Sequence, residues 1–362
     1  LMSLLSAVRT DPSRDVLRSL RSICDEQGLA ELAARLADLG DLVRWDMKDF
    51  EGALNALPTR NAEKNVVTDS ALHLIARGGK RLRPMCVALA SRVGSGFSDQ
   101  AREMGVAVEL VHCATLLHDD VIDESDQRRG APAARMLYGN AASIFAGDWL
   151  LVEALRRVRN AHVEGTLDRL LAIIEEMIFA EALQLENRGK IDTRRESYFK
   201  VVEGKTAALF RWAMYAGGRA GGLDEATCKT LEDYGTHLGM AFQLIDDWLD
   251  YAGDQQATGK ALFTDLREGK MTYPLLHAYE QDPSLGALLG EILGADDQDP
   301  ARTAALHESL KQALVRTGAL DACRALALSH ADRAAAVLSP LPDSRAIEAL
   351  LTVARATVHR EA

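Results

Sequence analysis

Apolar residues recur along this chain every three or four positions. In LDRLLAIIEEMIFAEALQLENRG they stand at Leu170, Leu171, Ile174, Met177, Ile178, Ala182 and Leu185, one stripe of an α-helix rather than the alternation of a half-buried strand. That stretch ends on Asn-Arg-Gly, and glycine readily takes the left-handed conformation that closes a helix. TLEDYGTHLGMAFQLIDDWLDY has the same periodicity. No proline falls between Pro132 and Pro274, as expected of long helices, whose interiors exclude it. Breaks come at RGGKRLRP, VGSGFSD, RRGAPAA, AGGRAGGLD and GDQQATGK, each with glycine or proline between helical stretches. The pattern predicts an all-α chain of roughly a dozen helices with no strand pair. Residues 1–44 read as an N-terminal helical extension of mixed charge, and residues 45–362 as one main domain.

Composition narrows the function. A chain of 362 residues that is 48% hydrophobic can bury a large core. A net charge of −11 disfavours nucleic acid as a partner, because a phosphate backbone is met by basic surfaces. Cys24, Cys86, Cys113, Cys228 and Cys323 are scattered, with no Cys-x-x-Cys pair. That spacing disfavours zinc and a disulfide framework and suits a reducing cytosol. No apolar run approaches the ~20 residues that cross a bilayer. The first residues, LMSLLSAVRTDPSRD, lack a basic stretch followed by an apolar signal core. The expectation is a cytoplasmic protein with no transmembrane segment.

The candidate chemistry lies in two stretches, LLHDDVIDESDQRRG and FQLIDDWLDY. Each puts Asp-Asp-x-x-Asp at the end of an apolar run. On a helix, positions i and i+4 share a face that i+1 borders, so Asp119, Asp120 and Asp123 point roughly one way, as do Asp246, Asp247 and Asp250. Carboxylates gathered this way repel one another unless a cation sits among them. Hard oxygen ligands suit Mg²⁺, which commonly shares itself between one or two carboxylates, waters and substrate phosphates. Basic residues stand at the glycine-bearing breaks: Lys80 and Arg83, Arg128 and Arg129, Lys205, Lys260 and Lys270. Acidic clusters, Mg²⁺ and dispersed Lys/Arg are how a protein holds a substrate with two phosphates.

GGKRLRP, LLHDDVIDESDQRRG, GKTAALF and FQLIDDWLD…GK together resemble the ordered motifs of the trans-isoprenyl diphosphate synthases, or polyprenyl synthetases, over residues 45–362. The resemblance implies a bundle of antiparallel helices around a deep central cavity, in a homodimer, with the acidic clusters facing each other across the mouth. It assigns Asp119, Asp120, Asp123, Asp246, Asp247 and Asp250 to about three Mg²⁺ ions on an allylic diphosphate. Arg128, Lys205, Thr206, Gln243 and Lys260 would bind that diphosphate, with Lys270 near the leaving group. Lys80, Arg83, His112 and Arg129 would bind isopentenyl diphosphate. Asp119, Asp120, Asp246, Lys205 and Lys260 would carry the catalysis, and His118 reads as structural. The implied reaction is head-to-tail elongation: diphosphate departs, the double bond of isopentenyl diphosphate attacks the allylic cation, and a proton leaves. The departing diphosphate is the implied base.

Product length is read from the helix that enters the first cluster. One turn before Asp119 stand Ala114 and Thr115, both small, with Val111 a turn deeper. Bulky aromatics at the first two positions close the family's pocket at about the farnesyl stage. Their absence here, and the two residues between Asp120 and Asp123, imply a product of geranylgeranyl length or longer, most like the octaprenyl-type enzymes. Phe145, Trp149, Met177 and Phe179 are candidates for the cavity floor. Three alternatives are a short-chain synthase, a class I terpene cyclase and a catalytically silent subunit. The cyclase reading fits poorly, because cyclases lack GGKRLRP, and the silent-subunit reading because both acidic clusters are intact.

Overall fold

The structure, a computed structural model, describes residues 17, 24, 29–57, 65–252, 263–294 and 300–360. The all-α expectation holds. In chain order the helices are α1 (Ala30–Asn55), α2 (Val66–Ala76), α3 (Leu82–Val93), α4 (Asp99–Ile122), α5 (Ala134–Tyr138), α6 (Asn140–Ala161), α7 (Thr166–Asn187) and α8 (Arg195–Val202). A π-helical turn (Glu203–Ala207) leads into α9 (Ala208–Ala220). Then come α10 (Glu225–Ala252), α11 (Thr264–Arg267), α12 (Tyr273–Gln281), α13 (Leu285–Leu293), α14 (Pro300–Arg316), α15 (Ala319–Val337) and α16 (Arg345–Thr357). No described helix is long and apolar enough to cross a membrane.

The chain forms two compact units. The first comprises Leu1–Leu167, Tyr215–Cys228 and Asp343–Thr352. Its centre is α4, which packs on α6, α3 and α1. Helix α4 is capped by Ser98, whose hydroxyl accepts the Ala101 N–H at 3.2 Å. Helix α2 opens with a capping box: Asn65 accepts the N–H groups of Val67 and Thr68, and Thr68 accepts that of Asn65. Helix α1 runs unbroken across residues 44 and 45, burying Leu36, Leu39, Val43, Met47 and Phe50 along one side. Asp46 on that helix takes both ends of the Arg92 guanidinium from α3, at 2.5 and 2.7 Å.

One departure from the sequence reading is a small ribbon. Gln127–Arg128 pairs antiparallel with Ala131–Pro132. The turn between them puts Arg129 and Gly130 at φ 53° and 70°, the paired left-handed conformation of tight hairpin turns. Strands of two residues are too short to leave an alternating signature.

The second unit comprises Asp168–Met214, Lys229–Pro342 and Val353–Ala362. One of its apolar clusters gathers Tyr198, Val202, Ala207, Leu244, Ile245 and Tyr273. Another gathers Tyr251, Phe263, Leu266, Leu275, Leu289 and Leu314. Helix α10 passes the π-helical turn so closely that a Cβ on Gly239 would lie 2.4 Å from Ala207 Cα, so only glycine fits there.

Candidate functional site

In the first unit, α4 carries Val111, His112, Ala114, Thr115, Asp119 and Asp120, and Asp123 follows its last turn. Asp120 is fully buried. Its Oδ1 accepts from Arg128 at 2.8 and 2.6 Å, so the small ribbon folds its arginine back onto the cluster. Its Oδ2 is buried with no hydrogen-bond partner. Burial raises the Asp120 carboxyl above its ordinary value, Arg128 opposes that, and Asp123 adds to it. A buried carboxylate oxygen without a donor is costly, and a bound cation satisfies it. The residues therefore fit an Mg²⁺ ion.

The GGKRLRP loop lies in the same unit. Arg129 donates to the Gly78 carbonyl, and its guanidinium lies 2.9 Å from where a Cβ on Gly79 would stand. Lys80 is exposed. Burial first, then Arg83, Arg129, Arg81 and Arg128, holds His112 well below the usual imidazole value. That favours the neutral imidazole, which has one ring N–H to donate. The arginine that sequence reading passed over, Arg81, is buried at the left-handed start of α3, with φ 49°. It donates to Glu51 at 2.9 Å and Glu109 at 2.5 Å. Burial opposes its charge, and Glu109 and Glu51 more than offset that. Arg81 thereby anchors the junction between Lys80, on the loop, and Arg83, in the first turn of α3. His118 pairs with the Ile144 carbonyl at 3.1 Å and Asp148 at 3.4 Å on α6.

In the second unit, α10 carries Gln243, Asp246, Asp247 and Asp250. Asp247 is 1% exposed. It accepts from the Tyr198 hydroxyl at 2.6 Å and from Gln243 Nε2 at 2.9 Å, and Gln243 in turn accepts from Thr206 at 2.8 Å. Asp250 accepts the backbone N–H groups of Thr264 and Asp265 at 3.0 and 3.2 Å. Asp246 is the more exposed member and pairs with Arg360 at 2.9 Å. Burial, then the neighbouring Asp265, pushes Asp247 up to about 8 and Asp250 up to about 7. Burial and the neighbouring carboxylate thus favour the protonated form, and a bound cation would favour the ionised one.

Lys205 and Thr206 sit in the π-helical turn, a form that recurs at functional sites. Lys205 pairs with Glu181 at 2.6 Å, and Lys270 with Glu268 at 2.5 Å. A cavity of about 160 Å³ in this unit is lined by Tyr198, Lys205, Thr206, Gln243, Asp247 and Lys270, among others. Lys260 lies outside the described residues. Among the described residues, no three or more His, Cys, Asp or Glu form a group able to hold a metal by themselves. Mg²⁺ shared with substrate phosphates does not require such a cage.

Sequence reading missed Arg81, Tyr198, Asp265 and Arg360. Only Asp265, five residues before Lys270 in TDLREGK, offered a local signal. Of the chain-length positions, Val111 and Ala114 are buried, and the Thr115 hydroxyl donates to the His112 carbonyl at 2.8 Å. Among the floor candidates, Phe145 and Phe179 are 59% and 65% exposed, because they lie on the outer stripes of α6 and α7. Met177 is buried and Trp149 partly so.

The polyprenyl synthetase family model matches residues 64–310. The octaprenyl diphosphate synthase of Escherichia coli (strain K12) is 37% identical over 327 residues, covering 90% of this chain and 99% of that protein. A short chain isoprenyl diphosphate synthase of Methanothermobacter thermautotrophicus is 35% identical over 294 residues, covering 80% of this chain and 89% of that protein. Among solved structures, a polyprenyl synthase from Caulobacter crescentus CB15, complexed with calcium and isoprenyl diphosphate, superposes with a TM-score of 0.81 at 36% identity. It covers 90% of this chain and 98% of that one.

Proposed function

We propose, since the chain belongs to the polyprenyl synthetase family, that it is a trans-prenyltransferase making a polyprenyl diphosphate of geranylgeranyl length or longer. It joins isopentenyl diphosphate head to tail to an allylic diphosphate. The observation that carries this reading is the buried, unpartnered Oδ2 of Asp120, at the end of a helix whose preceding turns present small or slim residues, Ala114 and Val111. A short-chain product is the second reading, favoured by the similarity to the Methanothermobacter enzyme.

Asp119, Asp120 and Asp123, with Asp246, Asp247 and Asp250, are the residues that would hold Mg²⁺. When bound, the metal neutralises the charge that grows on the leaving diphosphate. Tyr198 and Gln243 keep Asp247 in one orientation, and Asp250 is held by two backbone N–H groups. Arg128, Lys205, Thr206, Gln243 and Lys270, with Lys260, bind the allylic diphosphate, and their charge acts most where the C–O bond is breaking. Lys80, Arg83, neutral His112 and Arg129 hold isopentenyl diphosphate. An apolar wall from Val111 and Ala114 keeps water from the cation. The leaving diphosphate accepts the proton lost as the new double bond forms.

Exposed apolar side chains on α6 (Phe145, Val152) and on α7 (Leu171, Ile178, Leu185) support a homodimer, since such stripes are costly in water. All five cysteines are buried and unbridged, which supports a cytoplasmic setting. The test is mass spectrometry of the products made from geranyl, farnesyl and geranylgeranyl diphosphates with excess isopentenyl diphosphate and Mg²⁺. The expected products are of geranylgeranyl length or longer, and Asp246→Ala loses most turnover with an unchanged circular dichroism spectrum. Farnesyl diphosphate as the sole product, or near-normal turnover in the variant, would overturn the reading.

A further inference from the structure

Two short turns in the second unit share a form and pack back to back. Asn187-Arg188-Gly189-Lys190 begins on the last residue of α7, and Arg267-Glu268-Gly269-Lys270 on the last residue of α11. Gly189 and Gly269 both take left-handed backbone, with φ 72° and 78°. They touch directly: the Gly189 N–H donates to the Gly269 carbonyl at 2.9 Å, and a Cβ on Gly269 would lie 2.6 Å from Gly189 N. Arg188 Nε adds a bond to the Glu268 carbonyl at 3.0 Å, across 80 residues of chain. Ile191, next to Lys190, packs into the apolar cluster that includes Leu266 and Leu275. Backbone held on one side by hydrogen bonds and on the other by a packed side chain has little freedom left to lose when a ligand binds.

The consequence concerns Lys190. It lines the same cavity as Lys205 and Lys270. Those two lysines are each held by a glutamate, at 2.6 and 2.5 Å. Lys190 makes no ion pair with another described residue. Asp192, just beyond it, is taken by Arg194, whose hydrogen bonds hold that carboxyl down to about 2. The nearest acidic group in sequence is therefore engaged away from Lys190.

We infer that Lys190 is a third lysine of the diphosphate pocket, brought there by the paired turns to contact the diphosphate of the allylic substrate. The inference rests on the proposed function, in which Lys205 and Lys270 hold that diphosphate. A lysine here adds a charge-assisted hydrogen bond to a phosphate oxygen. Because Lys190 is exposed, the contact is screened and its effect modest.

The test uses the full chain in Mg²⁺ and titrates inorganic pyrophosphate calorimetrically into the parent, Lys190→Gln, Lys190→Arg and Lys205→Gln proteins. Lys190→Gln is expected to weaken pyrophosphate binding about three- to tenfold, with the deficit shrinking as salt rises, while Lys190→Arg stays within about twofold. In steady state, KM for geranylgeranyl diphosphate rises by a similar factor and KM for isopentenyl diphosphate does not, which separates the two diphosphate subsites. Weakening by Lys205→Gln but not by Lys190→Gln overturns the inference and leaves the proposed function standing. Unchanged binding in both overturns the diphosphate reading of the cavity, and this inference with it.

Discussion

Arg81→Met should unfold the loop it anchors before it touches any substrate. The side chain is 3% exposed, as is that of Glu109, and Glu51 is 13% exposed. Methionine roughly preserves the volume but leaves Glu51 without its arginine and Glu109 with the more distant Arg129, at 4.0 Å. Removing one partner of a buried ion pair costs about 3–5 kcal/mol, because the charge left behind is uncompensated. Against a typical stability of about 5–15 kcal/mol this is severe, and in a chain of this length it corresponds to a fall of roughly 4–7 °C in melting temperature. Glu109→Gln alone costs less, since Arg81 keeps Glu51 and the amide oxygen still accepts a hydrogen bond. Combining the two substitutions removes one of the orphaned charges. The double variant is therefore expected to be more stable than the sum of the single effects by about 1–3 kcal/mol, as for residues sharing one network. Urea unfolding followed by circular dichroism on the parent, both singles and the double measures this directly. Additivity within about 0.5 kcal/mol would refute the buried-triad account. In protein still folded at low temperature, KM for isopentenyl diphosphate should rise, because Lys80 and Arg83 flank the lost anchor.

Two other outcomes follow from the same geometry. Ala114 is buried two helical turns before the end of α4, so Ala114→Phe should shorten the product, measured by mass spectrometry, and an unchanged length distribution would mean the position does not face the growing tail. His330 on α15 and His237 on α10 meet at 3.2 Å between Nδ1 atoms, with Arg333, Asp233 and Glu203 as their charged neighbours. Burial, then His237 and Arg333, holds His330 down to about 4, below the 6.5 of a free imidazole. Between those values the unfolded chain binds more protons than the folded one. The contribution of His330 to stability is therefore fully present above about pH 6.5 and is lost as pH falls toward about 4. His330→Gln removes this contribution whatever other groups titrate in the range, so the difference in urea midpoint between parent and variant should change between pH 6.5 and 4, and a difference that stays constant with pH would contradict the pairing.

The helices and the two acidic clusters were legible in the sequence because both are local. Periodicity of three to four residues specifies a helix, and Asp-Asp-x-x-Asp on a helix places its own carboxylates within one turn. Glycine-bearing breaks marked Lys80, Arg83, Arg128 and Lys270 for the same reason. Tertiary structure decided which charged groups turn inward as anchors. GGKRLRP contains three basic residues, and nothing within the motif says that Arg81 turns inward to Glu51 and Glu109. Tyr198 reaches Asp247, Arg360 reaches Asp246, and Gly189 reaches Gly269, each pair far apart along the chain. A buried polar group must find a donor or counter-charge wherever packing supplies one, and packing brings together residues that share no period, spacing or motif.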